Sequence, residues 1–221
     1  MSRIGLFEAI GPWMVGPSSS HTAGACSIAL TGRRLFGRDP KELDITLYGS
    51  FAQTGRGHGT DLALLGGAMG MEPWDERIRD SRSIADERGI RYRIVFDRDT
   101  PTEHPNTADL VFSDERGSLS VRGESVGGGK ICIRRLDGVD VAFTGEFPTL
   151  IVAHRDEPGA LHFMTGVLEE YDLNIASLRC YRESRGGRAY AVIESDGRID
   201  EDVLADMREG EMITNTLLLQ V

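Results

Sequence analysis

Three histidines sit in segments shaped by glycine, proline or serine: His21 in Gly16-Pro17-Ser18-Ser19-Ser20-His21-Thr22, His58 in Gly55-Arg56-Gly57-His58-Gly59-Thr60, and His104 in His104-Pro105-Asn106-Thr107. An imidazole titrates near neutrality, so histidines held in loops are candidates for moving a proton in a shared pocket. Ser18, Ser19 and Ser20 stand ahead of residues 23–36, a run that reads as a helix. Hydroxyls and free amides at a helix start, aided by the helix dipole, form a site for an anion such as a carboxylate. Plain N-capping accounts for one serine and leaves two more and a histidine without a task. The plainer alternatives stay open: glycines can merely shape a turn, and a lone histidine in a loop is often only solvated.

Other chemistries fit the spacing poorly. A dinucleotide fingerprint starting at Gly55 needs glycine at position 60, which is Thr60, and a phosphate loop ending at Lys130 needs glycine at 124 and a hydroxyl at 131, which are Glu124 and Ile131. The serines of the first segment do not form the Gly-x-Ser-x-Gly elbow of a hydrolase. No His-xxx-His pair supports a histidine metal triad. The three cysteines, Cys26, Cys132 and Cys180, are far apart and form no Cys-x-x-Cys pair. A cluster or structural zinc bound wholly by this chain is therefore not expected.

The elements that must carry these residues follow from pattern. After the helix at 23–36, closed by Gly37 and Pro40, a strand is expected at 45–51, then the Gly-rich segment as a loop, then helices near 61–69 and 74–88. The small residues of the first helix, Ala23, Gly24, Ala25, Ser27 and Ala29, imply that another backbone or a ligand comes close. Alternation of Ile90, Tyr92, Ile94 and Phe96 marks a strand, and further strands are expected near 109–112, 118–122, 130–134 and 139–143. Beyond a short linker the pattern restarts as strand 149–153, helix 158–171, strands 175–182 and 188–194, helix 199–208 and strand 213–221. That βαββαβ order is the ferredoxin-like arrangement. The expected class is α+β (mixed α/β), with domains at 1–143 and 149–221 joined by a linker at 144–148.

The run Gly16-Pro17-Ser18-Ser19-Ser20-His21-Thr22-Ala23-Gly24 resembles the signature of the beta domain of bacterial iron–sulfur L-serine dehydratases. That family usually has valine or methionine and then Gly-Pro after the threonine; Ala23, Gly24 and Ala25 depart from this without touching the Ser-His core. Gly57-His58-Gly59-Thr60-Asp61, His104-Pro105-Asn106-Thr107 and Ser125-Val126-Gly127-Gly128-Gly129 resemble further family motifs in the same order. From Val152 through Asp156-Glu157-Pro158-Gly159-Ala160-Leu161 to Asn174-Ile175-Ala176 the chain resembles an ACT domain, a fold often used for allosteric regulation.

The resemblance implies conversion of L-serine to pyruvate and ammonia. A four-iron four-sulfur (4Fe-4S) cluster would polarise the substrate hydroxyl, a base would take the α-proton, and the aminoacrylate formed would hydrolyse. Single-chain members carry the cluster cysteines in a following alpha domain. This sequence has no such cysteine group, so the resemblance implies a two-chain enzyme with the cluster on an alpha subunit. It further implies that Ser18, Ser19, Ser20 and His21 line the serine pocket. His58 with Thr60, and His104 with Asn106, would handle or orient protons. Asp156, Pro158 and Gly159 would lie at an effector or cation site where ACT domains pair. Two other readings remain: a regulatory amino-acid-binding protein of the kind joined to some phosphoglycerate dehydrogenases, and a self-contained metal hydrolase.

Composition agrees with an ordinary folded chain. Of 221 residues, 40% are hydrophobic and 27% charged, and the net charge is −10. Neither half offers the basic patch that nucleic acid requires. Glu8, Gly11 and Pro12 interrupt the N-terminal segment, so no secretory leader is read there. No stretch reaches the roughly 20 apolar residues of a membrane span, and the cytoplasm is the expected location.

Overall fold

The computed structural model describes residues 13–220; most of the N-terminal segment examined for a leader lies outside them. The chain divides into compact units at Met1–Asp137 and Gly138–Val221. Among the described residues no helix is long and apolar enough to cross a membrane.

The first unit begins with a π-helical turn, Ser19–Gly24, that runs into helix α1, Ala25–Phe36. Gly37, in the left-handed region at φ 74°, closes α1 as expected. Strand β1, Glu42–Leu47, leads to helices α2, Gly49–His58, and α3, Thr60–Ala68. A 3-10 turn, Glu76–Asp80, and helix α4, Ser81–Glu87, precede strand β2, Arg91–Phe96. Strands β3 (Thr107–Asp114), β4 (Gly117–Gly127) and β5 (Lys130–Leu136) complete the unit. Its strands run in the order β2-β1-β3-β4-β5, with β1 and β2 parallel and the others antiparallel. The parallel pair is possible because three helices cross between its strands.

The small residues of α1 have a packing cause. A Cβ built on Gly67 of α3 would stand 2.3 Å from the Cys26 carbonyl oxygen and 3.1 Å from the Ala29 Cβ, so α1 and α3 meet backbone to backbone. On the other side, a Cβ on Gly32 would strike the Phe112 ring at 2.6 Å, bringing α1 down onto the sheet.

Three expectations needed correction. The strand expected at 45–51 lies at Glu42–Leu47, and the Gly-rich segment expected as a loop is the end of helix α2. Gly49 takes φ 51°, which stops the strand and starts the helix. Glycines cost a helix about 1 kcal/mol each, so Gly55 and Gly57 hid it from pattern reading. Gly55 is there for space: a Cβ would come within 3.3 Å of Phe96 and Thr60. The helix expected at 74–88 is likewise broken into the 3-10 turn and α4, where buried Ser81 donates its hydroxyl to the Ile78 carbonyl at 2.7 Å.

The second unit opens with β6 (Val139–Phe143), then follows β7 (Thr149–Arg155), helix α5 (Ala160–Glu170), β8 (Ile175–Arg182), β9 (Arg188–Ser195), helix α6 (Glu201–Arg208) and β10 (Ile213–Leu219). From β7 to β10 this is the expected βαββαβ, in a sheet ordered β10-β7-β9-β8. Leu150, Val152, Ala191 and Ile193 of the sheet face Met164, Leu168, Val203 and Met207 of the helices, all buried. Burying each large aliphatic side chain contributes roughly 1.5–3 kcal/mol, which holds the two helices on one face.

Candidate functional site

The π-helical turn is the centre of the first unit's motifs. Ser18 caps it: its hydroxyl accepts the His21 amide at 3.1 Å while its carbonyl accepts the Thr22 amide at 2.9 Å. A π-turn loosens the backbone register over one turn and is often kept at functional sites. Here it aims His21 toward α2. Thr22, buried, donates its hydroxyl to the His58 carbonyl at 3.2 Å, tying the turn to the end of that helix. Gly24 tucks under β4, where a Cβ would fall 2.0 Å from the Ser125 Oγ.

His21 is held on three sides. Its Nε2 lies 3.0 Å from the Ser50 hydroxyl, its Nδ1 3.4 Å from the Ser18 hydroxyl, and the Phe51 ring meets it edge-on with centroids 5.3 Å apart. The His58 ring is 5.0 Å away, centroid to centroid. Burial first, and the neighbouring His58 second, depress the His21 pKa below the ordinary histidine value, a pull that a hydrogen bond to the Ser50 backbone opposes. A histidine so placed keeps a neutral ring able to accept a proton.

The third motif adjoins from the side. The Pro105 carbonyl accepts the Ser50 amide at 2.7 Å, and Asn106 and Ser125 are joined through the Ser125 amide and the Asn106 carbonyl at 3.0 Å. His104 turns inward on its own loop, where its Nδ1 accepts the Asn106 amide at 3.2 Å. Just outside, the Asp109 carboxylate accepts the Tyr48 hydroxyl at 3.0 Å and both Nε and Nη2 of Arg122 at 2.6 Å, pinning the end of β1 to β3 and β4.

Four buried side-chain atoms lack any hydrogen-bond partner among the described residues: His58 Nδ1, Thr60 Oγ1, Asn106 Oδ1 and Ser125 Oγ. Leaving a buried polar atom unpaired costs about 1–3 kcal/mol, so such atoms are rare and call for a cause. All four belong to the motifs singled out in the sequence. Together they offer hydroxyl donors, an amide acceptor and an imidazole nitrogen, which suits a small ligand carrying both a carboxylate and an ammonium group.

Of the residues expected from the sequence, the fold gathers the segments of His21, His58, Ser18, Thr60 and Asn106 around one turn. Ser19 and Ser20 lie half-buried within the turn itself. Ser50 was missed: it follows the strand it was assigned to, and only the helix start at Gly49 aims it at His21. Ser125 stood in a quoted motif, but its burial could not be read from sequence.

In the second unit, Gly159 takes φ 94° at the start of α5, preceded by Pro158 in the turn. Asp156 does not cap that helix. Its Oδ2 accepts the Gly186 amide and the Arg182 Nη1, both at 3.1 Å, and these bonds hold its carboxyl below the usual range.

The chain's thiols do not fit an iron–sulfur cluster, which needs several convergent thiolates. Cys26 is buried in α1, donates to the Met71 carbonyl at 3.3 Å, and is pushed well up in pKa by burial. Cys132 lies on β5 and Cys180 in the other unit. Among the described residues no three His, Cys, Asp or Glu side chains are grouped to hold a metal.

Comparison with known proteins gives the family. The family model described as serine dehydratase beta chain matches residues 5–135. The chain is 41% identical over 202 residues to a probable L-serine dehydratase beta chain of Bacillus subtilis, with 91% of each chain covered. It is 34% identical over 222 residues to the L-serine dehydratase beta chain of Peptoniphilus asaccharolyticus, covering 100% of both. A D-3-phosphoglycerate dehydrogenase of Methanocaldococcus jannaschii is 26% identical over 126 residues, 57% of this chain and 24% of that enzyme. Family match, full-length relatives and the motif-built site agree: this chain belongs to the serine dehydratase beta chain family.

Proposed function

We propose that the chain is the beta subunit of an L-serine dehydratase and supplies part of the substrate pocket to an enzyme completed by an alpha subunit. The observation that carries this reading is the set of unpartnered buried atoms on His58, Thr60, Asn106 and Ser125 around the turn bearing His21. Serine's carboxylate would take the hydroxyls of the pocket and the first turn, and its ammonium the Asn106 oxygen. Loss of the α-proton and of hydroxide from serine gives 2-aminoacrylate; its imine tautomer takes up water and yields pyruvate and ammonia. His21 and His58 are the groups of this chain placed to accept or return a proton. His104 acts through its loop, by holding Asn106. The 4Fe-4S cluster belongs in this reading to the alpha subunit, and no step on this chain's residues runs through it.

The second unit is proposed to act as an ACT regulatory domain that pairs with a copy of itself, with Asp156, Pro158 and Gly159 at the effector site. A concentration series in the ultracentrifuge should show self-association; a monomer throughout would remove the pairing.

The test of function is pyruvate release from L-serine under anaerobic, iron-replete conditions. The chain alone should be silent and the chain with a cysteine-rich partner active. The partial likeness to a phosphoglycerate dehydrogenase favours a second reading, a regulatory amino-acid-binding protein. Serine binding by the chain with no turnover in any mixture would select it.

A further inference from the structure

We infer that Ser50 is a positioning residue for His21: its hydroxyl fixes the imidazole through Nε2 and leaves Nδ1 as the nitrogen that exchanges protons. This rests on the reading of His21 as a proton-handling group. The 3.0 Å contact to Nε2 is the shorter of the ring's two hydroxyl contacts; Ser18 stands at 3.4 Å from Nδ1, too far for a strong bond. The start of α2 is built to hold that contact. A Cβ on Gly49 would lie 2.6 Å from the Pro105 carbonyl oxygen, so only glycine lets the helix start meet the loop so closely. The Ser50 and Phe51 amides both point to that same oxygen, at 2.7 and 3.4 Å. Phe51 then places its ring against the imidazole. Thus the loop of His104 carries Ser50, and Ser50 carries His21.

A serine touching a histidine Nε2 after a strand–glycine turn also has the outline of a nucleophile and its base. The amides argue otherwise. A nucleophile needs free donors nearby for the developing oxyanion, and the two amides at this helix start are committed to Pro105. Ser50 holds; it does not attack.

If the Nε2 proton is donated to Ser50, Nδ1 keeps its lone pair toward the pocket, because the partner of one ring nitrogen sets the state of the other. The full chain labelled with 15N-histidine reads this directly, with His21→Ala assigning the signal. Wild type should show His21 mainly as the Nε2–H tautomer, Ser50→Ala a mixture, and Ser50→Thr, which keeps the hydroxyl, the wild-type pattern. In the assembled enzyme Ser50→Ala should lower kcat on the order of tenfold to a hundredfold, as for outer partners of functional histidines, with KM little changed. Ser50→Thr should recover most of it. Identical His21 nitrogen shifts in wild type and Ser50→Ala would overturn the inference, as would a loss carried wholly by KM. A tautomer response with no turnover in wild-type mixtures would leave the Ser50 contact standing and remove the catalytic reading.

Discussion

At the scale of single residues the environment of His21 decides what it can do. Held by Ser50 and Ser18 and set beside His58, it has a pKa pulled below the ordinary value by burial first and by His58 second. Replacing it by alanine should lower turnover of the assembled enzyme by about 10²–10⁴, the usual contribution of a general acid or base. Assembly, followed by gel filtration, should persist; near-normal turnover would refute the assignment. The same shift makes a stability statement. The unfolded chain binds the His21 proton more tightly than the folded one, so this contribution is complete above about pH 6.5. It falls as the pH drops through that value toward the lower folded pKa. Urea midpoints from pH 7.5 to 5 should decline in wild type and decline less in His21→Gln; parallel curves would show that the ring is not strained by protonation.

Between elements, glycines decide the packing, and two of them make opposite predictions. Gly24 has no room, with Ser125 Oγ 2.0 Å from a would-be Cβ. Gly24→Ala must push the π-turn off β4, at about 1–3 kcal/mol of stability, and should weaken serine binding along with it. Gly57 sits inside α2 with nothing within 4 Å of a Cβ. Gly57→Ala should therefore stabilise by about 0.5–1 kcal/mol, raising Tm by a few degrees in calorimetry. A rise in Tm for Gly24→Ala would contradict the first prediction, and a fall for Gly57→Ala the second. This contrast also marks what the sequence disclosed. The second unit was legible nearly strand by strand, because alternation and turns act locally there. In the first unit the motifs were legible as motifs, and the small face of α1 did announce the approach of another backbone at Gly67. Helix α2 was not legible, since Gly55 and Gly49 serve tertiary packing against Phe96 and the Pro105 loop. The role of Ser50 went with it: a side chain's partner 29 residues away depends on the turn that aims it.

Across the whole molecule the charge pattern sets the acid limit of the fold. The chain carries 35 carboxylate side chains against 25 basic ones, and several are held low by local bonds. Asp114 is brought down to about 2, chiefly by the Arg38 guanidinium, with the Arg116 and Gly117 amides adding to it. Asp75 and Asp97 in the first unit and Asp156 in the second are lowered by arginine or amide donors in the same way. A carboxylate with a depressed folded pKa stabilises the native state fully above its unfolded value of about 3.9 and loses that contribution as pH falls through the folded one. Because such groups occur in both units, acid should unfold the protein mainly between about pH 4 and 2, below the shallow step assigned to His21. Far-UV circular dichroism at low protein concentration separates this from precipitation near the isoelectric point of about 5.0. Asp114→Asn removes the lowest of these titrations while keeping an amide oxygen for the turn. It should cost stability at pH 7 and flatten the fall between pH 4 and 2. An acid curve that merely shifts, with its slope unchanged, would mean that the Arg38–Asp114 pair is solvated too well to matter, as many surface pairs are.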